Sequence, residues 1–241
     1  MIIKPFDLDD LRHQLATSHD SIDKLNDDNW VAQIRPEEWD EILRRATEGL
    51  KCQIAECSRA PASVLEVLAT GSDIYVTKAV AQNPNTPASV LMKLAKEFCR
   101  EAVARNPSTP ASVLEQLARD WDSGVRKTVA GRIKTPASVL MKLARDSDIH
   151  VREAVAWNPS TPASVLEELA RDSHSPVRKA VARNPSTPAS VLAELARDLG
   201  WDVYGWDVRE AVARNPSTPA SVLMKLALGK VGKFIAMLLK R

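Results

Sequence analysis

The chain has 241 residues, a formal net charge of +2, and 44% hydrophobic and 27% charged residues, the balance of an ordinary folded protein and not of a disordered or fibrous one. No stretch approaches the ~20 apolar residues of a membrane span. Cys52, Cys57 and Cys99 are too few for a disulfide framework and fit a reducing compartment. The opening MIIKPFDLDDL holds no apolar run of signal-peptide length, so a cytoplasmic location is expected. With 8 glycines and 5% aromatics, a helical fold is expected over a strand-rich one.

The small net charge hides an asymmetry. Residues 1–49 carry 6 Lys/Arg against 12 Asp/Glu, and the remaining chain carries 27 against 19. In the acidic front piece, Leu8, Leu11 and Leu15 stand at helical spacing. Pro36 opens a second helical pattern through Trp39, Ile42, Leu43 and Ala46. Residues 1–49 read as an acidic helical cap.

From residue 50 one phrase recurs. Its proline falls at Pro61, Pro87, Pro110, Pro136, Pro162, Pro188 and Pro219, at intervals of 26, 23, 26, 26, 26 and 31 residues. The fullest copies read NPSTPASVLEQLARD from Asn106, NPSTPASVLEELARD from Asn158 and NPSTPASVLAELARD from Asn184. In the Asn158 copy, Thr161 is expected as N-cap and Pro162 as the first helical residue, where a missing N–H costs nothing. Val165, Leu166, Leu169 and Ala170 then share one helix face. After a short linker, a second and shorter helix is expected to bury Val151, Ala154 and Val155, as in VREAVAW from Val151. Asn158-Pro159 stops it, because the residue before proline is pushed out of the α region. Its side chain can bond backbone groups of the turn.

One such repeat cannot fold alone. About four large apolar side chains contribute roughly 1.5–3 kcal/mol each on burial, whereas ordering 26 residues costs on the order of 1–2 kcal/mol apiece. Neighbouring repeats must supply the difference, so the expected fold is an all-α solenoid. Seven layers at a helix spacing of ~8–10 Å predict a body roughly 60–70 Å long.

The phrase VRxAVARNPSTPASVLxxLARD resembles the leucine-rich repeat variant family over about residues 50–227. The resemblance implies a right-handed superhelix of alternating α and 3₁₀ helices without β-sheet, the VRxAVAR helix being the 3₁₀-like one. The 26-residue spacing is longer than the family's roughly 24. Residues 228–241, containing GKVGKFIAMLLKR, read as a C-terminal capping helix. A membrane-surface role for its Phe234–Leu239 stretch, flanked by Lys233, Lys240 and Arg241, is the lesser alternative.

Two linkers break the rhythm. The one around AKEFCREAV loses three residues. The one before Arg209 gains five and reads LGWDVYGWDV, a small tandem duplication tolerated in a surface loop, or a binding loop anchored by Trp201, Tyr204 and Trp206.

No nucleophile, phosphate-binding or metal-ligand pattern stands out, so no catalytic residue, cofactor or metal site is assigned and the chain is expected not to be an enzyme. The family's iron–sulfur members raise a redox reading, but four thiolates are normally needed and Cys99 fills a valine column as a small buried hydrophobe. His13, His19, His150 and His174 show no ligand spacing. Two arginine columns remain: Arg126, Arg152, Arg178 and Arg209, with Arg100 in the shortened repeat; then Arg105, Arg183 and Arg214, interrupted by Trp157. With Glu101, Glu153 and Glu210 beside the first column, a salt-bridged ladder is expected. Free of such pairing, the columns would hold nucleic-acid phosphates. The leading expectation is a scaffold binding a protein partner along one solenoid surface, with nucleic-acid backbone binding as alternative. The candidate contact residues are Arg126, Arg152, Trp157, Arg178, Arg183, Trp201, Tyr204, Trp206, Arg209 and Arg214.

Overall fold

The structure, a computed structural model, describes residues 34–197 and 205–228. Among these residues every regular element is a helix. The leucine pattern at Leu8–Leu15, the aromatic residues Trp201 and Tyr204, and the C-terminal segment 229–241 lie outside them. A 3₁₀ turn at Pro36–Glu38 runs into α1 (Trp39–Arg45), which buries Trp39, Ile42 and Leu43.

Long and short helices then alternate: α2 (Glu48–Glu56), α3 (Ala62–Leu68), α4 (Ile74–Gln82), α5 (Ala88–Leu94), α6 (Arg100–Arg105), α7 (Ala111–Leu117), α8 (Ser123–Gly131), α9 (Ala137–Leu143), α10 (Ile149–Trp157), α11 (Ala163–Leu169), α12 (Ser175–Arg183), α13 (Ala189–Leu195) and α14 (Gly205–Arg214). Residues 220–228 are again helical. The fold is all-α and built of repeated helix pairs.

The lengths reverse the expectation. The PASVL helices α3, α5, α7, α9, α11 and α13 have seven residues, whereas α2, α4, α8, α10 and α12 have nine, and both kinds are α-helical. At α4, α8 and α10 a linker aspartate caps the start, while α2 is capped by Thr47 and α12 starts at Ser175-Pro176. Asp148 Oδ1 accepts the His150 amide at 2.8 Å and the Val151 amide at 3.4 Å, so α10 begins two residues before Val151. In the shortened repeat Cys99 takes the N-cap place without a side-chain bond, and α6 has only six residues.

The cap at the other helix also differs. Pro162 is itself the N-cap, at φ −59° and ψ 147°, and its carbonyl accepts the Leu166 amide at 3.1 Å. Thr161 reaches backward instead: its hydroxyl donates to the Val155 carbonyl at 2.6 Å. Thr187 does the same to Val181, and Thr218 to Val212. Each buried threonine thus adds a second bond to a last-turn carbonyl that already accepts the asparagine amide.

By internal contacts the chain divides into two compact units between Pro110 and Ala111. Within the first, α2 packs on α4 and α4 on α6; within the second, α8, α10, α12 and α14 pack in sequence. The seven-residue helices pack chiefly on the long helices flanking them. Leu140, Leu166 and Leu192, one leucine from each of three successive short helices, are fully buried. Val151, Val155 and Ala156 form the buried side of α10, while Ala154 is only half buried.

Asparagine joins one repeat to the next. Asn158 donates through Nδ2 to the carbonyls of Ala130 and Arg132, at 2.7 and 2.6 Å. Asn184 bonds Ala156 and Asn158 in the same way, and Asn215 bonds Ala182 and Asn184. In the first unit Asn83 bonds Ala55 and Cys57, and Asn106 bonds Ala81 and Asn83. Each Oδ1 also accepts the amide two residues on, Ser186 for Asn184 at 2.8 Å. The serine hydroxyl adds an outer bond to the preceding repeat, Ser186 to the Pro159 carbonyl at 2.9 Å. Asn158 and Asn184 are 2% and 0% exposed, so each is a fully used amide in a dry setting.

Replacing Asn184 by Ala removes two bonds to buried carbonyls, only one of which, that of Asn158, keeps a backbone donor, and one bond to the Ser186 amide. Urea unfolding should show a loss of about 2–4 kcal/mol. Ser186→Ala, at an exposed bond, should cost less than about 1 kcal/mol.

Candidate functional site

The first arginine column is a structural joint. Arg126 lies across to Asp146 of the next repeat, Nε to Oδ2 at 2.7 Å and Nη2 to Oδ1 at 2.8 Å, while Nη1 donates to the carbonyls of Asp120 and Trp121. Arg152 repeats this on Asp172, with Nη1 on the Asp146 and Ser147 carbonyls. Arg178 donates to the Asp172 and Ser173 carbonyls. The paired side chains are 14% and 8% exposed for Arg126 and Asp146, and 13% and 8% for Arg152 and Asp172. The expected ladder is therefore real, but its anions are the linker aspartates of the next repeat and not the adjacent glutamates. It is also largely withdrawn from solvent. Arg209 stands half buried on α14.

Burial pushes the Asp146 carboxyl up, yet hydrogen bonds from Arg126 and from the Asp148 amide outweigh it and hold its pKa below the usual aspartate value. Asp172 is lowered in the same way, burial being overcome by Arg152 and the His174 amide. His174 Nδ1 sits 3.1 Å from Arg152 Nη2, and His150 Nδ1 sits 3.6 Å from Glu153, so the two histidines have separate partners.

The second column faces solvent. Arg105 pairs with Glu101 at 2.6 Å and Arg214 with Glu210 at 2.7 Å, each within its own helix. Arg183 differs: its guanidinium lies over the Trp157 indole, 5.7 Å from the ring centroid. Trp157, 44% exposed, closes α10. On the α8 side of that ring is an open groove of about 340 Å³ lined by Lys127, Gly131, His150, Glu153, Ala154, Trp157 and Asn158. Trp206 stands in the first turn of α14.

The cysteines occupy separate settings. Cys99 is buried with its thiol 3.6 Å from Thr77 Oγ1, Cys57 is buried, and Cys52 is half buried beside Glu56 and the Tyr75 carbonyl. Burial, followed by the charge of Glu56, pushes the Cys52 thiol up, away from the thiolate a metal requires. Among the described residues no three His, Cys, Asp or Glu side chains are grouped to hold a metal ion. None of their helices is long and apolar enough to cross a membrane.

Helix pairs of one pattern, joined at most steps by the same asparagine bonds and at two by the same arginine–aspartate pair, define a helical repeat protein of the solenoid class. The chain belongs to the leucine-rich repeat variant family. The leucine-rich repeat variant domain model matches residues 76–133, and the leucine-rich repeat variant model matches 149–174, 177–199 and 206–228, together more than half the sequence. A solved structure described as a leucine-rich repeat variant with a novel repetitive structural motif is similar at 25% identity and a TM-score of 0.61, covering 87% of each chain. An engineered protein shows a weaker likeness, with 20% identity, a TM-score of 0.40, and 89% and 80% of the two chains covered. No curated protein sequence matches the chain.

The aspartates of the buried joints have folded pKa values below their unfolded values, so their stabilisation is full above about pH 4 and is lost as pH falls through the folded value. Unfolding free energy should drop as pH is lowered below about 4, and Asp172→Asn should flatten that dependence. At pH 7, Arg152→Gln should cost about 2–4 kcal/mol by urea unfolding, because Asp172 loses its charge partner in a buried place.

Proposed function

We propose that the chain is a non-catalytic repeat scaffold whose row of long helices binds a protein partner, with Trp157 and Arg183 at the centre of the contact. The observation that carries this reading is the groove beside Trp157: a half-exposed indole braced by a cation, next to an open slot, on an otherwise regular helix row. Tryptophan and arginine are the residues that dominate protein interfaces. The five-residue insert supplies Trp201, Tyr204 and Trp206 as further anchors in the same part of the chain. We further propose the organisation of an acidic cap over 1–49, a repeat array over 50–227 and a closing helix over 228–241, in a cytoplasmic protein.

The nucleic-acid reading draws less support. Arg126 and Arg152 already spend their donors on aspartates and backbone carbonyls, and Arg105 and Arg214 are paired with glutamates. A phosphate would have to break those bonds first.

Two measurements test the proposal. Capture from native extract on the full chain, read by mass spectrometry, should yield a protein that Trp157→Ala loses and Met141→Ala, on the exposed side of α9, retains. A partner held equally by both variants would defeat this assignment. Labelled DNA and RNA titrated at about 50 and 200 mM salt should show no steeply salt-dependent binding; steep dependence would favour the rival.

A further inference from the structure

The residue that closes α4, α6, α8, α10, α12 and α14 forms a column: Gln82, Arg105, Gly131, Trp157, Arg183 and Arg214. Four residues earlier in each helix stand Lys78, Glu101, Lys127, Glu153, Lys179 and Glu210. Where the earlier residue is glutamate, its own helix supplies an arginine one turn on: Arg105 for Glu101, Arg214 for Glu210. Glu153 is the exception. The place of its arginine is taken by Trp157, and the ion-pair partner it retains is His150, which carries charge only when protonated.

The other exception lies beside it. Gly131 is the one residue of that column without a side chain, and a Cβ built on it meets nothing within 4 Å. The vacancy is felt one helix on. Ala154 is half buried and lines the groove, whereas Ala102, Ala180 and Ala211 at the same place in other repeats are 5%, 1% and 2% exposed. α10 packs between α8 and α12; Arg183 of α12 lies over the indole, and Trp157 and Gly131 of α8 line the same groove.

We propose that this slot takes an arginine side chain of the protein partner. The proposal rests on the protein-binding reading and specifies its chemistry. The guanidinium stacks on the open face of Trp157 and donates to the carboxylate of Glu153, restoring the glutamate–arginine pair that neighbouring repeats make within their own helices. The indole would then lie between two guanidinium groups, Arg183 from this chain and the incoming one. Lys127, at the groove's other edge, opposes a cation, so shape and stacking must complement charge here.

The test uses the full chain and a defined probe, the peptide acetyl-Gly-Arg-Gly-amide, with its citrulline counterpart as the uncharged isostere. The Trp157 indole N–H resonance, identified by its loss in Trp157→Phe, reports binding. The arginine peptide should shift it saturably and bind about tenfold more tightly than the citrulline peptide. Glu153→Gln should weaken the arginine peptide several-fold, and Lys127→Gln should strengthen it. Gly131→Arg, which puts the column's own arginine into the slot at an unstrained helical position, should abolish binding while leaving Tm equal or higher. Equal shifts by the two peptides, or undiminished binding by Gly131→Arg, would overturn the inference. The protein-binding reading is decided separately, by whether the captured partner depends on Trp157.

Discussion

The structure depends on one constraint: a long helix that ends inside a stack leaves carbonyl groups that water cannot reach. The asparagine at the start of each NPST phrase answers it across the repeat boundary, donating to one carbonyl from the last turn of the preceding long helix and to a second from the residue just after that helix. The threonine three residues on answers it within the repeat. These bonds work together because Oδ1 of the same asparagine fixes the turn that places the serine and threonine. The order Asn, Ser, Thr is thus one hydrogen-bonding device, and the apolar packing of the short helices is built on the register it sets.

The arginine–aspartate joints are a second coupling of the same reach. Each guanidinium ties a linker of its own repeat, by backbone carbonyls, to the aspartate of the next. Such pairs contribute modestly to stability once desolvation is counted, but their fork geometry admits one relative placement of two repeats. A column that looks on paper like an extended basic surface is consumed in fixing geometry, and the solvent-facing chemistry is left to the second column, where Trp157 and Gly131 interrupt a run of paired arginines.

Much of this was legible in the sequence. The period, the alternation of two helices, the helix started at Pro36 and the capacity of Asn158 for turn bonding all follow from proline placement and apolar spacing. The relative helix lengths did not, because the Asp148 carboxylate draws two residues ahead of Val151 into α10. The role of Thr161 was misplaced by one position: proline with an extended ψ is a serviceable N-cap, which frees the hydroxyl for a carbonyl six residues back. The aspartate partners of the arginine column stand 20 residues away, beyond the reach of helix spacing rules, although the constant separation of Arg126 from Asp146 and of Arg152 from Asp172 was a signal available in the repeat itself. The significance of Gly131 needed the stack, since only there does a missing side chain border a tryptophan.

The proline following each of these asparagines has a chemical corollary. Asparagine ages to aspartate when the next backbone nitrogen, stripped of its proton, attacks the side-chain amide and closes a succinimide. Pro84, Pro107, Pro159, Pro185 and Pro216 have no such proton to lose. Hydrolytic decay at these amides would replace a donor by a negative charge facing two carbonyl oxygens, prising neighbouring layers apart. The same ring that ends the helix therefore shields the most damage-sensitive group in the five repeats that carry it, so these joints are guarded against the passage of time by their own helix stop.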